Sequence, residues 1–513
     1  MGLISLQFGL FFLGLLLFYY IAPLKIRWWV LLAGSVIFYL LSATPYTALY
    51  LIISALIVYL ASKYIEKESA QYKRAVYTIT IIINIILLAM LKYLNGLWIT
   101  CERLFSFAGI ALPPVNIGWA VPLGISFYTL QLIGYLTDVY WNINPAQKNP
   151  AKLALFASYF PSISSGPILR YSQIEKELFD GHTASYKNIT FGMQRILWGL
   201  FKKIIIAERM AAVAKPIFAD FNAYNGFYIW IGLLAAVIRL YTDFSGNMDI
   251  MLGVSECFGI HLPENFTQPF FSLTFQEFWQ RWHITLGGWL KDYILYPILR
   301  SKIWIKFGRY IKKRFGKKAA KLAPTFSAVL IMWLINGVWH GGYGNFIVMA
   351  VWFWCALTAG QLFEPAGDKI VRLLKINTDC FSWRIFRRTR TFAVYSIGVL
   401  FFCSPNAAAA FNMGKQAFFA NNIFDLLSSK TFVSNDLLEL CGGKIGLHVL
   451  LLSAAILFGV ESYQNRGGNI REWLANQNIV FRWIILFGLI FAILLFGVYG
   501  PGYDAAEFIY AGL

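Results

Sequence analysis

Apolar residues in this chain come in long runs rather than in strict alternation. Segments 7–22, 28–41, 46–62, 76–98, 119–136, 191–212, 227–243, 322–340, 343–363, 392–404, 445–460 and 480–499 are dominated by Leu, Ile, Val, Phe, Ala and Gly. A helix needs roughly 20 apolar residues to cross a bilayer. Backbone groups in hydrocarbon must be satisfied within the segment itself, which makes the helix the structure such a run adopts. Several runs are short or interrupted, so the pattern predicts an all-α polytopic membrane protein of about 11 transmembrane helices. The first run has no basic stretch before it and no small-residue cleavage pattern, and it reads as a permanent helix rather than a removed signal.

Two stretches break the pattern. Residues 277–299, "EFWQRWHITLGGWLKDYILYPIL", set Glu277, Arg281, His283, Lys291 and Asp292 among aromatic residues. Gly287 and Gly288 are expected to break this stretch into two short re-entrant or interfacial helices. Residues 159–171, "YFPSISSGPILRY", hold two prolines around a polar centre and read the same way. Irregular backbone at membrane depth is tolerated where protein buries it or where it lines a wet cavity. Such segments imply that the fold builds a cavity.

Composition agrees with the runs. Of 513 residues, 58% are hydrophobic and 13% charged, against about a quarter charged in a soluble domain. The formal net charge of +19 changes the picture less than it first suggests. Residues 300–321 hold ten Lys or Arg and no acid, and residues 369–390 hold seven with one Asp, leaving 27 basic and 24 acidic residues elsewhere. Two short basic loops beside spans are what the positive-inside rule expects of cytoplasmic connections that touch anionic lipid. A subsidiary role beside a phosphorylated donor fits the same charge. No nucleic-acid-binding motif accompanies it, and nucleic acid is not an expected partner. Lys25 and Arg27 after the first run put the N-terminus outside by the same rule. The six cysteines stand singly, without C-x-x-C or zinc spacing, so no metal is expected. No internal repeat or long linker appears, and the chain reads as one membrane domain over 1–513.

The charge pattern places one residue in particular. Residues 322–363 lack Lys, Arg, Asp and Glu and lie between the two basic stretches, so they should cross outward and return. "GGYGN", 341–345, suits the turn, and Pro324 suits the first turn of the outgoing helix. His340 then lies 19 residues beyond Lys321, roughly 28 Å along a straight helix. That depth is towards the outer part of the membrane.

Ionisable groups inside membrane segments are functional candidates. A neutral imidazole at His340 can take a proton from a hydroxyl, and Asn336, one turn earlier on the same face, can orient the ring or contact a substrate. A buried histidine that ties two helices together fits the same residues equally well. His283 lies beside Trp279, Trp282 and Trp289, and the plainer reading is an interfacial histidine in an aromatic belt. Arg281 and Glu277 are spaced to pair. In "RLYTDFSGNMDIMLG", 239–253, Arg239 and Asp243 are also spaced i, i+4, and an ion pair that fixes helix packing is the plainer reading there. His182, His261 and His448 read as structural. The chain lacks a phosphate-binding glycine loop, G-x-G-x-x-G, G-x-S-x-G and H-E-x-x-H, so ATP-driven transport, nicotinamide chemistry, soluble-type esterase chemistry and zinc proteolysis lose their markers.

"EFWQRWHITLGGWLKDYILYPI" followed by "GVWHGGYGNFIVMAVWFW" resembles the paired signature of the membrane-bound O-acyltransferase family. "LKYLNGLW" at 91–98, "PLGISFYTLQLIGYLTDVY" at 122–140, "FPSISSGPILRY" at 160–171, "DFSGNMDIMLG" at 243–253, "PENFTQPF" at 263–270 and "YGPGYDAAEFIY" at 499–510 resemble its bacterial alginate-O-acetylase-like branch. The resemblance runs in order through nearly the whole chain. It implies a ring of tilted helices around a central tunnel, with a catalytic core at about 119–365. It also implies a catalytic role for His340, with His283 as the second polar position. Asn336, Trp339, Trp282, Arg281, Asp292 and Asp243 are then expected to position substrate or line the tunnel. The implied reaction is O-acetyl transfer at a bacterial cytoplasmic membrane. Acetyl-CoA is the donor substrate, with no permanently bound cofactor. The acceptor is an extracytoplasmic polysaccharide or cell-wall polymer, reached directly or through a hydrolase-like partner protein. "YPILRSK", Thr242 and the ending "YAGL" depart from the alginate-type pattern and argue against alginate itself as acceptor. D-alanyl transfer to teichoic acid is an alternative within the class. A transporter or lipid flippase is the alternative outside it, but it gives no reason for two W-H elements.

Overall fold

A computed structural model describes residues 1–67, 71–107, 120–164, 166–224, 226–419 and 435–499. Apart from Tyr499, the tail motif lies outside the described residues, as does the side chain of Cys101. Among the described residues the regular structure is helical, and the strand-like pairing is a single antiparallel bridge between Phe266 and Trp282. Eight helices among the described residues are long and apolar enough to cross a bilayer, and Leu6–Ile21 is a shorter apolar one. The protein is an all-α, multi-pass membrane protein.

The chain divides into two compact units. The first comprises Met1–Ile196 with Asn247–Pro263. It opens with α1 (Leu6–Ile21), α2 (Arg27–Ser42), α3 (Ala48–Glu66) and α4 (Lys73–Phe107). Ser5 starts α1 by accepting the N–H of Phe8 at 3.1 Å, one of the orphan donors of a first turn. Helix α5 (Ile125–Tyr140) is buried on every face from Ile125 to Val139 and packs on α3 and α4. Lys92 of α4 donates to Ser126 Oγ at 3.0 Å. Short helices α6 (Pro150–Ser158), α7 (Phe160–Ile163) and α8 (Tyr171–Phe179) follow, then α9 (Tyr186–Leu200). In the stretch 159–171, α7 is only four residues long, with Pro161 in its first turn.

The second unit comprises Leu197–Gly246 and the chain from Glu264 onward. A π-helical turn, Phe201–Ala207, leads into α10 (Glu208–Ala219), followed by α11 (Gly226–Cys257). The wider turn brings two buried lysines onto α11. Lys202 donates to Ser245 Oγ at 2.9 Å and Lys203 pairs with Asp243. Asp243 is therefore paired from a different helix, not by Arg239 one turn away. Asp249, in the first unit, pairs with Arg195 at 3.0 Å.

The stretch 277–299 forms α12 (Phe275–Arg281), α13 (Ile284–Leu290), a π-helical turn at Lys291–Leu295, and α14 (Tyr296–Arg300). Thr274 caps α12 by accepting Glu277 N–H at 3.1 Å, while the Glu277 carboxylate reaches back to Leu273 N–H at 2.8 Å. The break expected at Gly287 and Gly288 falls instead at His283, and both glycines lie inside α13. A hydrogen-bonded neighbour that the glycine pattern does not reveal moves the break.

The basic stretch 300–321 is not a loop. Ser301 caps α15 (Lys302–His340), which is helical on both sides of a kink at Gly316, where φ is +83°. Pro324 consequently sits within the second helical part and not at its start. The second basic stretch is likewise mostly helical: α16 (Gly344–Leu373) ends and α17 (Phe381–Cys403) begins inside it, followed by α18 (Ala407–Phe419). Between α15 and α16 the expected glycine turn is present, with Gly342 at φ +70°. Gly337 lets these two helices approach closely, because a Cβ there would stand 2.8 Å from the Phe346 carbonyl oxygen. Two long helices, Gly443–Asn465 and Ile479–Phe496, follow with the short helices Asn435–Leu440 and Ile470–Ala475, and Ile479–Phe496 exposes Val480, Ile484 and Leu495 as a lipid-facing helix would.

Candidate active site

His340 is the last residue of α15, where the glycine turn begins. Its imidazole is enclosed by aromatic rings: Trp339 edge-on at 4.9 Å between centroids, Phe402 edge-on at 5.7 Å and Phe346 parallel at 6.4 Å. Asn336, one turn back, is 6% exposed, as is His340. His283 arrives from a separate part of the chain. Trp282 is extended and His283 is left-handed at φ +46°, so the chain turns sharply between α12 and α13 and sends the imidazole inward. His283 is 4% exposed, with Phe244 edge-on at 4.8 Å and Trp339 at 6.2 Å.

These side chains line one cavity of about 250 Å³, entirely within the second unit. On α15 its wall is Thr325, Phe326, Val329, Met332, Trp333, Asn336 and His340. These positions recur at helical spacing along one face. Thr325 to His340 spans about 22 Å of helix axis. The wall also includes Gln361 and Lys291. The cavity is thus long and mainly apolar, and its polar lining includes Lys291, Gln361, Asn336 and the two histidines.

The remaining expected residues fall on either side of that wall. Trp282 lines the cavity. Trp339 stands behind it, between the two histidine rings. Arg281 pairs with Glu277 at 2.7 Å and donates to Asn465 Oδ1 at 2.7 Å, away from the lining. Asp292 lies on the π-helical turn beside Lys291, and Asp243 is held by Lys203; neither lines the cavity.

Two tryptophans were not singled out as site residues by sequence reasoning. Trp279 and Trp333 both line the cavity, with rings 4.6 Å apart, and the buried indole N–H of each has no hydrogen-bond partner among the described residues. Asn336 Oδ1 is likewise without one. A buried polar group left unpaired costs about 1–3 kcal/mol, so three of them in one cavity are a stock of unused donors and acceptors for a polar ligand. The signal was available for Trp333, which shares the helical face of Asn336 and His340. An aromatic-belt reading hid it for Trp279. No group of three His, Cys, Asp or Glu side chains suited to a metal occurs among the described residues.

Known proteins resemble the chain over most of its length. A sequence model of the membrane-bound O-acyltransferase family matches residues 142–306, an interval that contains His283 but not His340. A probable alginate O-acetylase of Pseudomonas syringae pv. tomato is 30% identical over 461 residues, covering 89% of this chain and 80% of that protein. A peptidoglycan O-acetyltransferase of Helicobacter pylori is 28% identical over 399 residues, 71% of each chain. A teichoic acid D-alanyltransferase of Bacillus subtilis is 29% identical over 252 residues, 48% of this chain and 60% of that protein.

Proposed function

Because the chain belongs to the membrane-bound O-acyltransferase family, and so is a membrane acyltransferase, we propose that it transfers an acetyl group from acetyl-CoA on the cytoplasmic side to hydroxyls of an extracytoplasmic polysaccharide or cell-wall polymer. The membrane is the bacterial cytoplasmic membrane. A hydrolase-like partner outside it takes the acetyl group on, or the glycan receives it directly. The observation that carries this reading is the convergence of His340, Asn336 and His283, from two separate chain segments, on one elongated apolar cavity.

The chemistry follows from the lining. The acceptor hydroxyl gives its proton to the His340 imidazole as its oxygen attacks the thioester carbonyl. The indole N–H groups of Trp279 and Trp333 and the amide of Asn336 provide polar contacts for the acyl donor and for charge developing on its carbonyl oxygen. The C–S bond breaks, the thiolate takes the proton from the imidazolium, and an ester and a free thiol remain. Enclosure in apolar walls keeps bulk water from hydrolysing the thioester.

The test is the ester-linked acetyl content of surface polysaccharide in cells carrying wild-type protein or His340→Ala at equal protein level. Loss of acetyl ester in the variant is expected. Unchanged acetyl content would rule out acetyl transfer through His340. A second reading, D-alanyl transfer, is favoured by one observation: the first part of α15 exposes Lys302, Lys312, Lys313 and Arg314, a basic face suited to an acidic carrier protein. Loss of D-alanine ester in place of acetyl ester would select it.

A further inference from the structure

The segment before α12 runs beside the α12–α13 break and clamps it. Thr267 N–H donates to the Arg281 carbonyl at 3.0 Å, and Ile284 N–H donates to the Asn265 carbonyl at 3.0 Å. The Phe266–Trp282 bridge lies between them. His283 takes its left-handed backbone inside this short ladder. A left-handed backbone is uncommon for a residue other than glycine, and the ladder on both sides holds it here.

Within the clamp, the side chain of Asn265 is 1% exposed. Its Oδ1 accepts the backbone N–H of Thr285 at 3.0 Å and the Thr285 hydroxyl at 3.0 Å, and lies 3.2 Å from His283 Nδ1. A backbone N–H can only donate, so the atom facing it is the amide oxygen and the amide orientation is settled. An amide oxygen can only accept, so His283 Nδ1 must carry the proton. In the neutral ring the lone pair then belongs to Nε2.

We propose that Asn265 is a positioning residue of the active site, holding His283 in the Nδ1–H tautomer so that Nε2 serves the reaction as an acceptor. The role of Nε2 rests on the acyl-transfer reading; the tautomer does not. A neutral His283 of this kind cannot donate a hydrogen bond from Nε2 to the acyl carbonyl. It accepts one, from the incoming hydroxyl or from a nitrogen of His340 after that ring has taken the proton. Polarisation of the carbonyl then falls to the indole and amide donors of the cavity.

The experiment is nitrogen NMR of full-length protein carrying ring-15N histidine in lipid bilayers, with the His283 signals identified by their loss in His283→Gln. Wild type and Asn265→Asp, which keeps an acceptor oxygen, are expected to show the proton on Nδ1. Asn265→Leu is expected to lose that single tautomer and to lower kcat about ten- to hundredfold, with little change in the KM for either substrate. A merely structural role would reduce the amount of folded protein but leave the tautomer and the turnover per folded molecule unchanged. A proton on Nε2 in wild type overturns the proposal, and so does Asn265→Leu with unaltered tautomer or turnover. If Asn265→Leu does not fold, the wild-type and Asn265→Asp spectra decide. Absence of acetyl transfer by wild type, with Nδ1–H observed, would count against the proposed donor and leave the tautomer assignment standing.

Discussion

Trp333 shows how a single side chain can belong to function at the expense of the unliganded fold. It is 5% exposed, yet its indole N–H has no partner among the described residues. Phenylalanine at this position keeps most of the ring contact with Trp279 and Phe353 and removes the stranded donor. Trp333→Phe is expected to lower turnover about five- to tenfold, or about 1–1.4 kcal/mol of transition-state binding. Thermal unfolding in detergent should show no loss of stability, because the lost apolar area is offset by the removed unpaired group. A variant that unfolds earlier but turns over normally would make the indole a packing group and nothing more. The role of His340 was open to two readings at this scale. Spacing put it on a face with Asn336, but the enclosing Phe402 and the His283 that lines the same cavity come from elsewhere in the chain.

Among the elements, the two π-helical turns and the break at His283 are where local pattern and structure part. The turn Phe201–Ala207 carries Lys203 to Asp243, with both side chains 5% exposed. Removing one charge from a buried pair strands the other and costs about 3–5 kcal/mol, whereas replacing both with apolar residues of similar size is often neutral. Asp243→Asn is therefore expected to lower the unfolding temperature sharply, and Lys203→Met with Asp243→Leu to recover most of it. Equal destabilisation by the single and the double variant would show that the pair acts through something other than its charges. The i, i+4 spacing of Arg239 and Asp243 was legible in the sequence, but a partner forty residues away was not, since a wider helical turn leaves no mark in hydrophobic periodicity. The glycine turn after His340 was legible, because few residues adopt the left-handed backbone found at Gly342.

For the whole molecule, the charge asymmetry predicts that the basic stretches lie on the cytoplasmic side. Cys380 lies in the turn between α16 and α17, within the second of them. Hydrogen bonding with Ser382, and then with the backbone of Trp383, lowers the pKa of its thiol, and a lower pKa favours the reactive thiolate. A membrane-impermeant maleimide is expected to label Cys380 in inside-out vesicles and not in right-side-out ones, with Cys380→Ser as the blank. Labelling from the outer face would invert the topology and with it the direction proposed for acyl transfer.

The amino-acid sequence by itself determined that the chain is helical and spans a membrane, because the cost of unpaired backbone in hydrocarbon leaves long apolar runs no other form. It also determined the turn after His340, the shared face of Asn336 and His340, and the pairing of Arg281 with Glu277, all of which depend on residues a few positions apart. Only the tertiary structure decided that His283 and His340 line one cavity, that Asn265 holds the first of them, and that Trp279 and Trp333 turn unpaired donors upon it. Those relations join residues tens of positions apart through packing. Packing between distant segments is set by shape and close contact, which the spacing of residues along a chain does not record.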